Sequence, residues 1–162
     1  MPDPFRLKVL KALTAALEEI SVAGGYQTDL AGRVYRGRII FGERDPIPMV
    51  SILEVPLPLD QLVSPRDSKD LAGGWDLMIQ GFVEDDFRNP TDPAHVLMAD
   101  VKRRLAQEKR RVNDGTAFGM REISNIRIGP GVVRPPDEVS AKAYFWLSLV
   151  IDMVEDLADP FA

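Results

Sequence analysis

The residues able to do chemistry are few. The chain has no cysteine and one histidine, which excludes thiol catalysis, zinc-thiolate centres and any site needing two imidazoles. His95 stands one position after Ala94 with no recognisable carboxylate motif beside it, and reads as a surface imidazole. Glu84, Asp85, Asp86 and Asp92 supply the oxygen ligands a hard cation wants, but without the spacing or glycine of an EF-hand loop. They read as a strand end leading into a helix cap. Gly24-Gly25, Gly73-Gly74 and Gly129-Pro130-Gly131 fit neither phosphate-loop signature and read as turns. No cofactor and no metal is expected, and the chain does not read as an enzyme.

One charge pattern is denser than the rest. Lys102-Arg103-Arg104 and Lys109-Arg110-Arg111 place six cations in ten residues, against Glu108 alone. The plain reading is a solvated helix end whose cations complement the dipole. The functional reading is a patch of Lys102, Arg103, Arg110 and Arg111 facing DNA or a neighbouring subunit. Overall the balance is acidic, 20 Lys+Arg against 25 Asp+Glu, which argues against a protein devoted to gripping nucleic acid.

The elements that must position these groups follow from periodicity. Leu10, Leu13, Leu17 and Ile20 recur at spacings of three and four, and predict a helix over residues 4–22, capped by Asp3 and stopped by Gly24-Gly25. Two β-rich runs follow, 34–41 and 49–55, the second reading as a central, mostly buried strand. Trp75 to Val83 alternates as a third strand. A second helix over 92–110 takes Asp92 as cap and Pro93 in its first turn, with Ala94, Leu97, Met98, Val101 and Leu105 as its buried stripe. Strands near 122–128 and 141–154 complete the order, the last long and partly apolar on both faces; its Tyr144 and Trp146 face is a candidate for packing against a neighbouring subunit.

Helix, three strands, helix and two strands predict a single layered α+β domain over 1–162. Its sheet of four to five strands is mixed and mainly antiparallel, because consecutive strands with short links pair that way, and two helices pack on it. Between the second and third strands the stretch Pro56 to Gly74 is long and proline-bearing, which suits an arm ordered by a partner. Leu59, Gln61, Leu62, Arg66, Lys69 and Leu71 are its candidate contact residues. No run is apolar enough to span a membrane, and the N-terminal residues lack the build of a signal peptide, so the chain is expected to be made in a cytoplasm and to touch no membrane.

Arg36 through Glu54 forms a strand, an Asp45-Pro46-Ile47-Pro48 turn and a second strand. Together with Trp75-Asp76-Leu77-Met78-Ile79-Gln80-Gly81-Phe82-Val83 and Asn89-Pro90-Thr91-Asp92-Pro93-Ala94, this text resembles the tail terminator and tail-completion (neck) proteins of long-tailed bacteriophages. The resemblance runs from the first helix to the last strand and rests on pattern motifs, none of them catalytic. It implies a structural virion protein of the tail-neck region. Such a protein forms a homo-oligomeric ring, typically of six, that caps the tail tube and joins it to the head-neck connector, with DNA passing through its channel without sequence-specific binding. Two other readings stay open at this point: a head-completion or connector protein of the same particle, and a small hydrolase built on a pair of carboxylates that sequence does not reveal.

Overall fold

Apolar residues at Phe5, Val9, Leu13, Ala16 and Leu17 follow one another at helical spacing, and all five are buried on the inner side of α1, Phe5–Glu18. The computed structural model describes residues 2–56 and 70–162, with 70–72 as backbone alone. Asp3 does not cap α1. The cap position is Pro4, without a side-chain bond, and Asp3 instead pairs with Lys11 at 2.8 Å. The helix also stops four residues before the expected Val22. Ile20 turns inward to full burial, and its carbonyl accepts the Leu30 N–H at 2.9 Å, so the chain leaves the helix before the glycine pair.

The sheet has five strands: β1 Val34–Arg36, β2 Met49–Glu54, β3 Asp70–Val83, β4 Ile123–Arg134 and β5 Ala143–Asp156. Their order is β1-β2-β3-β5-β4. β3 is the middle strand, and β2, expected to be central and mostly buried, lies inside the sheet between β1 and β3 with Met49 to Ile52 buried. Three of the four pairings are antiparallel, and β1 with β2 is parallel, contrary to the expectation for neighbours in sequence. A parallel pair needs a crossover of about a dozen residues, and segment 37–48 supplies it. This is why β1 ends at Arg36 and not at Phe41.

Two glycine-bearing stretches expected as turns lie inside strands. β3 begins at Asp70, so Gly73 and Gly74 are paired with Met153 and Asp152, and Leu71 belongs to the strand opposite Glu155. Gly129-Pro130-Gly131 lies within β4, at a register shift between Ile128 and Gly131. β4 is an edge strand, where a bulge tolerates proline and the missing N–H has no partner to disappoint. Met98 of the second helix occupies the space that a side chain on Gly131 would need.

That helix, α2, runs Asp92–Arg111, close to the expected limits. Thr91, not Asp92, holds the cap position, and Asp92 sits in the first turn, where its charge complements the dipole. Ala94, Leu97, Met98, Val101 and Leu105 are buried as expected. α1 and α2 cover one face of the sheet, where Leu77, Ile79, Phe145, Leu147, Leu149 and Ile151 meet them in one continuous core. Each such aliphatic or aromatic side chain contributes about 1.5–3 kcal/mol by leaving water. The chain is thus an α+β domain, a mixed sheet with two helices packed on it.

Candidate functional site: the outer sheet face

Side chains alternate along a strand. Since Phe145 and Leu147 point to the helices, Tyr144 and Trp146 must point away from them, as must Phe82 on β3, Met49 on β2 and Tyr35 on β1. No helix covers this outer face among the described residues. It carries a second, smaller apolar cluster of Met49, Phe82 and Tyr144, with Tyr35, Phe41, Ile47 and Trp146 packed against it.

Five rings form a continuous row across it. Tyr35 and Phe41 lie 6.0 Å apart, Phe41 and Phe82 5.0 Å, Phe82 and Tyr144 6.2 Å, and Tyr144 and Trp146 5.5 Å. The tilted and edge-on geometries are those that aromatic quadrupoles favour. Four of the rings come from strands, and Phe41 comes from the crossover.

The crossover is pinned to the face by polar bonds. Arg38 places its guanidinium 4.8 Å from the centres of both Tyr35 and Phe41, and donates to Asp45 at 2.8 Å. Asp45 also accepts the Gly42 N–H at 2.6 Å, and Ser51 Oγ donates to the Arg38 carbonyl at 2.6 Å. The Asp45 carboxyl is held below its ordinary range, first by the Gly42 N–H and then by Arg38. On the other side, Tyr144 donates its hydroxyl to Asp137 at 2.8 Å and ties down the β4–β5 connection. That bond holds Asp137 low, while burial and then Asp137 itself push the Tyr144 phenol up.

Between the crossover and the β4–β5 connection lies a cavity of about 350 Å³, floored by Gln80 and Phe82 and walled by Ile39, Ile40, Phe41 and Val139. Ile39, Ile40, Val132 and Val139 are exposed. The outer face therefore combines an aromatic row with exposed aliphatic side chains at its rim, beside a cavity whose lining also carries Glu43, Asp45, Gln80, Ser140 and Lys142.

The structure disperses the basic run. Arg104 is buried and donates to Glu19 at 2.8 Å and Glu108 at 2.9 Å. Arg103 lies over the Tyr26 ring at 4.7 Å and donates to the Gly25 carbonyl, Lys109 donates to the Ile126 carbonyl, and Arg111 pairs with Glu108. Arg103, Lys109, Arg110 and Arg111 are exposed and Lys102 is half-buried, but only Lys102 and Arg110 make no side-chain hydrogen bond among the described residues. Lys102 and Arg111 stand about 180° apart around the helix, with Arg103 and Arg110 between them and about 20° from each other, so the four cations spread over half its circumference. Leu59, Gln61, Leu62, Arg66 and Lys69 lie outside the described residues, as does the side chain of Leu71.

The acidic group is also divided. Glu84 pairs with Lys142 at 3.0 Å, and Asp86 accepts the N–H groups of Arg88 and Asn89. Among the described residues no three His, Asp or Glu side chains are placed to hold a metal ion. His95 is exposed in the first turn of α2.

Sequence reasoning placed Tyr144 and Trp146 together but missed the aromatic row, because the crossover carrying Phe41 read as strand. It also missed the buried acid–base knot of α2. The signal for that was present: Arg104 and Glu108 fall three and seven positions after Val101, on the apolar stripe itself. The chain matches no protein-family model and no curated protein.

Proposed function

We propose that the chain is a structural protein of the tail-neck region of a long-tailed bacteriophage. In this reading it is a tail terminator that assembles into a ring, caps the tail tube and joins it to the head-neck connector. The observation that carries the reading is the outer sheet face, with its row of five rings and the exposed rim of Ile39, Ile40, Val132 and Val139. Such a surface gains free energy by leaving water against another protein. The motif text from Arg36 to Ala94 supplies the kind of assembly. A ring closes when one patch of each subunit meets a different patch of the next, and the family resemblance sets the expected number at six. DNA passes through the channel as cargo, without base recognition, and the chain performs no catalysis.

The test is sedimentation velocity and negative-stain microscopy of the purified chain, alone and mixed with tail tubes. Rings, free or seated on tube ends, support the reading. Rings that bind head connectors and ignore tubes assign the chain to head completion. A chain that stays monomeric under all these conditions overturns the ring.

A further inference from the structure

The six cations near the end of α2 divide into two groups. Arg104 and Arg111 hold Glu108 between them, and Arg104 also meets Glu19. Lys102, Arg103, Lys109 and Arg110 have no carboxylate within ion-pair distance among the described residues. Successive helical residues advance by about 100°, so these four fall in two adjacent rows, Lys102 with Lys109 and Arg103 with Arg110, within about 120° of the circumference. Arg104, Glu108 and Arg111 lie on the other side. Arg103 donates to the Gly25 carbonyl and Lys109 to the Ile126 carbonyl, bonds that fix the side chains and leave their charge uncompensated. Asp100, the remaining carboxylate of the helix beyond its first turn, is buried and accepts from Gln27 and Thr28.

The opposite end of α2 has the inverse imbalance. Segment 84–92 carries four carboxylates and one cation. Lys142 pairs with Glu84 at 3.0 Å, which leaves Asp85, Asp86 and Asp92 against Arg88. The segment is ordered, since Asp86 accepts the N–H groups of Arg88 at 3.0 Å and Asn89 at 2.7 Å. The two ends do not compensate each other within one chain: along the axis Asp92 stands about 15 Å from Lys102 and about 27 Å from Arg110, beyond the screening length of about 8 Å at physiological ionic strength.

We propose that segment 84–92 of one copy docks on the Lys102, Arg103, Lys109 and Arg110 face of a second copy. The charge match survives the removal of every internal pair, with three carboxylates against one cation on the tip and four cations on the face. A second copy suits this face better than nucleic acid does, because a duplex brings one phosphate charge per about 1.7 Å to a chain that is itself acidic, with a net charge of -5. The other acidic stretch, 152–159, is less available, since Asp152 and Glu155 are paired with Arg127 and Arg6. Tip and face are different surfaces, so the contact is head-to-tail, the kind that closes rings. It rests on the ring reading and identifies one of its contacts.

The experiment uses the full chain with two sets of charge reversals. One form carries Asp85→Lys and Asp92→Lys, the other Lys102→Glu, Lys109→Glu and Arg110→Glu, and circular dichroism checks the fold of both. Each form repels itself at the proposed contact, whereas an alternating assembly of the two restores attraction at every contact. Sedimentation velocity should show each reversed form alone associating about a hundredfold or more weakly than wild type at low salt, and their equimolar mixture recovering the association. In mixtures of isotopically light and heavy wild-type chains, carbodiimide coupling should join Lys102 or Lys109 to Asp85, Asp86 or Asp92 of a different copy, and it decides alone if a reversed form fails to fold. Wild-type rings that either set of reversals leaves intact overturn the contact and leave the ring reading standing. Links from these lysines to Asp156 or Asp159, or a mixture that does not recover, do the same. Loss of duplex DNA binding by the second form, with self-association unchanged, assigns the face to phosphate and overturns the contact. A mixture that stops at two copies upholds the contact and overturns the ring. A wild type that stays monomeric, alone and with tail tubes, overturns both.

Discussion

Gly81 on β3 lies directly across from Phe145 on β5, and the Phe145 ring occupies the space a side chain on Gly81 would take. Both residues are buried in the core beneath the helices. The absent side chain is thus replaced by a ring from the neighbouring strand. We predict that Gly81→Ala destabilises the fold by about 1–3 kcal/mol through overpacking. Phe145→Ala should cost about 3–5 kcal/mol through the cavity it opens. Urea unfolding followed by circular dichroism checks both.

Arg104 and Glu108 are paired at 2.9 Å and almost wholly enclosed, and the second Glu108 oxygen accepts the Phe118 N–H at 2.9 Å. Phe118 has a left-handed backbone, φ 50°, so the carboxylate also steadies a conformation that a bulky residue rarely adopts. Arg104→Ala removes the enclosed cation of that carboxylate and leaves it only the exposed Arg111, 2.9 Å away. The expected loss is about 3–5 kcal/mol, with faster amide exchange at Phe118 as the local readout.

The cations of α2 outside this pair should behave in the opposite way. Lys102→Ala with Arg110→Ala is expected to change stability by no more than about 0.5 kcal/mol. Arg103→Ala should cost about 0.5–1 kcal/mol, because its guanidinium rests on Tyr26. Thermal unfolding of the two variants side by side makes the comparison. On the proposed ring reading, a double variant that assembles as the wild type does leaves these two cations as a solvated helix surface only.

The Tyr144–Asp137 bond predicts a pH signature. Asp137 titrates lower in the folded chain than in the unfolded one, so its contribution is present above the ordinary carboxylate value of about 3.9. It is lost as pH falls through the folded value. Tyr144 is displaced upward, so its contribution is lost as pH climbs from about 10 through the folded value. Tyr144→Phe should abolish the alkaline loss and return Asp137 toward its ordinary titration. A carboxyl-detected NMR titration of Asp137 measures the second effect directly.

Both helices were legible because their apolar positions recur every three or four residues and need no tertiary knowledge to be read, as Leu13, Leu17, Val101 and Leu105 illustrate. β5 was legible for the same reason at period two. Gly73, Gly74 and Gly131 were not, since their local preference for turns is overridden by pairing with β5, a partner distant in sequence, and Gly129 is carried with them in the register shift of β4. The parallel pairing of β1 with β2 depends on where a crossover lies, which periodicity does not encode. Charge misled in another way. Arg104 resembles its neighbours in composition, and only its place on the apolar stripe distinguishes it from Arg103.

The pairing of β3 with β5 also orders events during synthesis. A ribosome releases β3 well before β5, with α2 and β4 made in between, so the inner edge of the central strand waits bare while the nascent chain lengthens. That edge is fourteen residues long, from Asp70 to Val83, and offers a ready template to any other strand nearby. Local helix formation in α2 does not shield it, because the missing hydrogen bonds belong to β5 alone. The interval between the two strands is therefore when a newly made chain is most exposed to mispairing and to capture by chaperones.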